Sequence, residues 1–222
     1  MNDTKERLKR AAAEIIAEQG LASATARAIA ERAGANQALV FYHFNTVNDL
    51  IEEASNQAVS EAVDRYRTRF EGVVSLGDLL RVGRDLHEHE QEVGNVALMG
   101  QLMANASRDA VIARTARHAM AVWTGEIERV VTRIMADSPL VDLVEPHGLS
   151  CAIAASFIGM ELYETVDVSE SAEALSALAQ LGALVDALNH LGPVATRALK
   201  SKRLMTGLKS GTSRAAREGV TK

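Results

Sequence analysis

The stretch TARAIAERAGANQALVFYHF, residues 25–44, decides how the rest of this sequence is read. Two short helical patterns meet in it around one glycine. The first opens at Thr25, whose side chain can cap a helix, and carries Ile29, Ala30 and Ala33 up to Gly34. Gly34 supplies a turn that tolerates positive φ. Asn36 then caps a second pattern, Gln37 to about His43, which breaks at Phe44-Asn45. Two short helices that cross steeply need a small residue where they approach, and Ala30 provides it. They also need apolar positions that lock against a third helix; Ile29, Ala33, Val40 and Phe44 can do so. That third helix lies just upstream. From Thr4 to about Glu18, residues Leu8, Ala11, Ala12, Ile15 and Ile16 share one face. The reading is a helix-turn-helix.

Outward from this segment the pattern stays helical. Helices are expected at about Val47–Phe70, Leu76–Glu92, Val96–Ala106, Asp109–Ala136, His147–Thr165 and Ser169–Leu191, with Ser138-Pro139 and Gly192-Pro193 as breaks. The chain has 222 residues, of which 47% are hydrophobic and three are proline. The expected fold is all-α: a three-helix helix-turn-helix head over residues 1–46, and a larger helical body for ligand binding and dimerisation over residues 47–196. A basic tail, 197–222, reads as a mobile extension or as a non-specific phosphate contact.

Charge is distributed unevenly along these parts. The net charge is −5, which would not by itself suggest a nucleic-acid partner. Residues 1–50 hold six Lys/Arg and six Asp/Glu, residues 51–196 hold ten and 22, and residues 197–222 hold eight and one. An acidic body with a neutral head that clusters Lys5, Arg7, Lys9 and Arg10 is compatible with binding DNA through the head alone. Cys151 is the single cysteine, which excludes an internal disulfide and a multi-cysteine zinc site; within CAIAASFI it reads as a small buried packing residue. The N-terminus has no apolar h-region, and no uncharged run reaches the length that spans a bilayer. A soluble cytoplasmic protein without a membrane partner is expected.

The head resembles the DNA-binding domain of TetR-type regulators over about residues 4–51. The aromatic run Phe41-Tyr42-His43-Phe44 and the later Asp49-Leu50 are the most specific parts. The resemblance implies a one-component transcriptional regulator that binds double-stranded DNA. Thr25 and Arg27 would meet phosphate at a helix N-terminus. Asn36, Gln37, Ala38 and Leu39 would open the recognition helix in the major groove, where Asn or Gln can pair with adenine and Ala or Leu can touch a thymine methyl. Tyr42, His43 and Thr46 would contact the backbone, with Phe41 and Phe44 in the core. One position departs from the family: Val47 stands where a Lys is usual and cannot make that phosphate contact.

The body supplies two further expectations. Leu175, Leu178, Leu181, Leu184, Leu188 and Leu191 repeat at helical spacing among alanines, and Ile153, Phe157 and Leu162 make the preceding helix similarly apolar. So wide an apolar face suits a core on one side and a second subunit on the other. Phe157, Leu178, Leu181, Leu184, Val185 and Leu188 are the candidate homodimer residues; core-only burial is the alternative. In the family the middle helices enclose an effector, and the candidates here are Tyr66, His87, Met99, Met103, His118, Trp123 and Tyr163. Nothing identifies the small molecule. His87-Glu88-His89-Glu90 reads as a charged solvated face, because His87 and His89 point about 200° apart and cannot chelate one ion. Neither a metal nor any other cofactor is expected.

No phosphate loop, serine elbow or His-Glu-x-x-His motif is present, so no enzyme is expected. The expected function is a repressor released from a pseudo-palindromic operator by a small-molecule effector. The alternative is a helical dimeric interaction module without specific DNA binding.

Overall fold

The structure, a computed structural model, describes residues 2–189 except Val93, Asp137, Pro139, Leu140, Asp142, Leu143 and Thr165. The expected tail at 197–222 lies outside the described residues. Within them the chain forms α1 (Asn2–Gln19), α2 (Ala26–Arg32), α3 (Gln37–His43), α4 (Val47–Glu71), α5 (Leu76–Glu92), α6 (Asn95–Asn105), α7 (Ala110–Met135), α8 (Pro146–Glu164) and α9 (Val168–Asn189), and no strand. One short element was not foreseen, a 3-10 turn at Leu21–Ser23.

The helix ends are set by side chains that satisfy otherwise unpaired backbone groups. The Ala28 N–H donates to Thr25 Oγ1 at 3.2 Å and the Ala38 N–H to Asn36 Oδ1 at 2.9 Å. Thr46 and Asp49 form a reciprocal capping box at the start of α4. Gly34 turns the chain between α2 and α3 with φ of +60°, in the left-handed region that only glycine enters freely. Arg7 reaches across from α1 and donates to the Ala33 carbonyl beside that turn, at 3.1 Å.

Two main cores follow. The first gathers Leu8, Ile15, Ile16, Ile29, Val40 and Phe44 from the head, as the apolar spacing predicts. It then continues into Leu50, Ile51 and Ala54 of α4, Leu98 and Leu102 of α6, and Ile112 and Ala116 of α7. The second joins α4, α5, α7 and α8 around Tyr66, Phe70, Leu79, Val131 and Ile153. Helix α4 enters both.

The start of α5 is held from a distance. Asp186 on α9 accepts from the Leu76 N–H at 3.0 Å and the Gly77 N–H at 2.9 Å, so its carboxylate caps a helix more than a hundred residues earlier. The two helices come close because both meet at glycine: a Cβ on Gly182 would lie 3.3 Å from Gly77 Cα.

Two packing expectations are corrected. Phe41 is 53% exposed rather than core; on the short α3 the inward face is taken by Val40 and Phe44, one turn apart, which turns Phe41 outward. Cys151 is exposed too. It lies about 160° round α8 from buried Ile153, with its Sγ 3.6 Å from His147 Nε2.

Replacing Asp186 with Ala removes two of the capping bonds of α5 and leaves the one from the Asp78 N–H to Ser75 Oγ. The expected loss is about 1 kcal/mol, in the range of N-cap deletions, readable as a lower urea midpoint with an unchanged denaturant slope.

Candidate functional site

The candidate DNA face is built on the two capped ends. Thr25, Arg27, Asn36, Gln37, Ala38, Tyr42 and Thr46 are exposed, and Leu39 and His43 are half-buried. The structure therefore places all nine residues at or near the head surface. Their chemistry differs more than the sequence suggests. The Asn36 Oδ1 is engaged by the Ala38 N–H, which leaves its amide hydrogens to face outward. Gln37 has no such capping duty and keeps both ends of its amide for a base edge. Tyr42, 67% exposed, stands edge-on to His43 with ring centroids 5.0 Å apart.

Most cations of the head are already committed. Lys5 pairs with Glu53, Arg7 with Asp3, Lys9 with Glu6, and Arg32 with Glu14 and Glu18. The Arg32 hydrogen bond to Glu18 holds that carboxyl below its usual range and raises the guanidinium. Arg27 makes no ion pair among the described residues and is exposed on the first turn of α2, beside the helix N-terminus that favours an anion.

A second feature lies in the body. Helices α4 to α8 line a mostly apolar, partly open cavity of about 110 Å³. Phe70, Met99, Met120, Trp123 and Phe157 line it, and its polar wall comes from His87 and Glu90 of α5 with Asn95 of α6. Of the residues named as effector contacts, His87, Met99 and Trp123 are on this wall. The other four are not. Tyr66 is buried beside it, in the second core, where burial and then Glu90 push its phenol up. Met103 and His118 lie about 100° round from inward-facing Leu102 and Ala119 and reach the surface. Tyr163 is 47% exposed on α8.

The His-Glu-His-Glu run is not wholly a solvated face. His87 and Glu90 are buried, while Glu88 and His89 are exposed. Gly83, Leu86, His87 and Glu90 fall at i, i+3, i+4 and i+7 and turn toward the cavity together. His87 Nε2 lies 2.7 Å from Glu164 Oε2. Glu90 takes a two-pronged bond from Arg65 Nη2, 2.8 Å to each oxygen. Among the described residues no group of three His, Cys, Asp or Glu could hold a metal ion.

Residues 8–54 match the family model described as bacterial regulatory proteins, tetR family. Residues 8–54 thus belong to the DNA-binding segment that this family model describes. Solved structures share the fold over most of the chain's length. A Rhodococcus sp. structure described as a TetR-family transcriptional regulator has a TM-score of 0.71 at 23% identity, covering 83% of this chain and 99% of that one. A fatty acid degradation regulator from Bacillus halodurans gives 0.65 at 13% identity, with 80% and 93% covered. A Saccharomonospora viridis regulator in complex with choline gives 0.63 at 17%, with 80% and 94% covered. No curated protein matches the sequence.

The helical body also presents the face named for dimerisation. Leu181 and Leu184 on α9 are more than half exposed, and Leu162 on α8 nearly half. Leu178 and Val185 are half-buried, Val185 against the second core. Phe157 is on the cavity wall instead, seated on Gly83. The side chain of Leu188 lies outside the described residues. Among these helices no span is long and apolar enough to cross a membrane.

Phe157 depends on having glycine opposite. A Cβ on Gly83 would lie 2.3 Å from its ring, so Gly83→Ala should drive the ring from its seat. The expected cost is about 1–3 kcal/mol of overpacking, with a shift in the emission of Trp123, the single tryptophan, on the same wall.

Proposed function

We propose that this protein is a TetR-family homodimeric repressor that leaves a pseudo-palindromic operator when a small molecule fills the body cavity. The observation that carries it is the pairing of an exposed recognition face on α2 and α3 with an apolar cavity in the body, joined by helices that enter both, α4 foremost. In this reading residues 1–46 are the DNA-binding unit and 47–196 the effector-binding and dimerising unit. Arg27, Tyr42, His43 and Thr46 hold phosphates, Thr25 caps and steers Arg27, and Gln37, Ala38 and Leu39 read bases beside Asn36. The dimer forms through Leu181 and Leu184 of α9, with Leu162 of α8, and spaces the two recognition helices about one DNA turn apart. The Saccharomonospora viridis structure, in complex with choline, supports small-molecule binding by a protein of this fold. Nothing in the proposed mechanism calls for catalysis.

Selection of bound sequences from random duplexes tests this reading. A two-half-site palindrome should be enriched, with affinity falling steeply in salt. Arg27→Ala should weaken binding to all sequences and lower the salt slope by about one, and Val47→Lys should raise it by about one. Gln37→Ala should cost about 1–3 kcal/mol on the selected site and little elsewhere. A folded dimer that enriches no sequence would instead make the protein an interaction module.

A further inference from the structure

Glu90 occupies an unusual place. It is a carboxylate, 2% exposed, in the wall of a cavity otherwise lined mainly by hydrocarbon and aromatic rings. A buried charge of this kind is stable only while it is paired and hydrogen-bonded. Its partners come from two other helices. Arg65 of α4 bonds both oxygens, and Asn95 at the start of α6 donates to Oε2.

Behind these partners lies a second, polar cleft of about 280 Å³, lined by Glu6, Lys9 and Glu14 of α1, Glu61 and Arg65 of α4, and Asn95. Asn95 lines both spaces. With Ala58 and Leu98, which also line both, the Arg65–Glu90–Asn95 group separates the apolar cavity from a cleft that touches the first helix of the head.

We infer that the molecule taken up by the cavity is a small organic cation, an amine or ammonium with apolar substituents, that bonds Glu90 in place of Arg65. This rests on the reading of the cavity as the effector site. A neutral hydrocarbon would leave Glu90 bound as it is, and an anion would face its carboxylate directly. Only a cation can replace the Arg65 guanidinium without stranding the buried charge. The released guanidinium has somewhere to go: its side chain is already 39% exposed, and Glu61 lines the same cleft one turn back on α4. The rings of Phe70, Trp123 and Phe157 complete a wall that suits a positive charge with apolar groups. Loss of the Arg65 bonds unties α4 from α5, and α4 is one of the helices that the head core runs into, through Leu50 and Ile51.

Three probes of one size separate the possibilities: benzylamine, protonated at neutral pH, benzyl alcohol and benzoate. Each is titrated into the full chain while the emission of Trp123 is followed. Benzylamine should bind at least tenfold more tightly than the other two. Glu90→Gln should bring benzylamine to the level of benzyl alcohol, with the fold checked by circular dichroism. Arg65→Gln, which keeps Glu90 and removes the rival cation, should tighten benzylamine several-fold, so the test does not depend on Glu90→Gln folding. Equal or tighter binding of benzyl alcohol or benzoate overturns the cation and leaves the cavity as a binding site. So does a benzylamine affinity that is unchanged or weaker in Arg65→Gln. No response of Trp123 to any probe overturns the cavity's role as the effector site, and the cation with it.

Discussion

Helix α4 is the constraint on which the rest of this structure hangs. Its 25 residues run about 37 Å at the standard rise, and its two ends are buried in different cores. Leu50 and Ile51 close the core of the head, and Tyr66 and Phe70 sit in the core of the body. A helix interior is stiff compared with a loop, so a tilt imposed at Phe70 is carried to Leu50. The capping box of Thr46 and Asp49 fixes where that rod begins. The recognition helix ends only three residues before it, at His43, so the rod's direction is also the head's direction.

The head is consequently no bead on a string. Its apolar residues do not close on themselves but run into α6 and α7 through Leu98, Leu102, Ile112 and Ala116. The Leu21 N–H reaches Gln101 Oε1 of α6 at 3.4 Å, and Asn48 reaches Asp109 at the start of α7. Coupling between sites needs an element that both of them bias. Here α4, α6 and α7 each touch the cavity on one side and the head core on the other. A change confined to the cavity wall therefore has three parallel routes to the head.

How much of this was legible in the sequence follows from how local each signal is. Helix spans came out within about three residues, because apolar spacing and capping residues such as Thr25, Asn36, Thr46 and Asp109 act within one or two turns. The head core was legible for the same reason: Leu8, Ile15, Ile29 and Val40 are apolar residues with one role. Phe41 misled because four aromatic-rich residues in a row cannot all face inward from a seven-residue helix, and spacing alone did not say which turn out. The cavity wall was half legible. His87, Met99 and Trp123 belong to it, but Tyr66, Met103, His118 and Tyr163 were picked by residue type, which does not reveal helix rotation. Asp186 and Arg65 carry no local signature at all. Their roles exist only because α9 meets α5 and α4 meets α5, contacts that periodicity cannot encode.

The polar residues of α5 show why such contacts are worth their expense. Four consecutive charged or titratable residues look like a solvent face, yet the helical period splits them, burying His87 and Glu90 while Glu88 and His89 stay wet. An apolar pair at 87 and 90 would pack the cavity wall as well and would avoid the desolvation of a carboxylate, which replacement by hydrophobic residues often improves. Stability is therefore a poor reason for Glu90. What the pair provides is direction. Glu90 is bound to Arg65 of α4 and to Asn95 of α6, and His87 faces Glu164 of α8, so α5 is tied at defined points to three helices instead of sliding on a greasy surface. Ties of that kind can be exchanged for others of equal charge, whereas packed hydrocarbon cannot. A cavity walled by them is suited to being read, and one walled only by leucine would merely be filled.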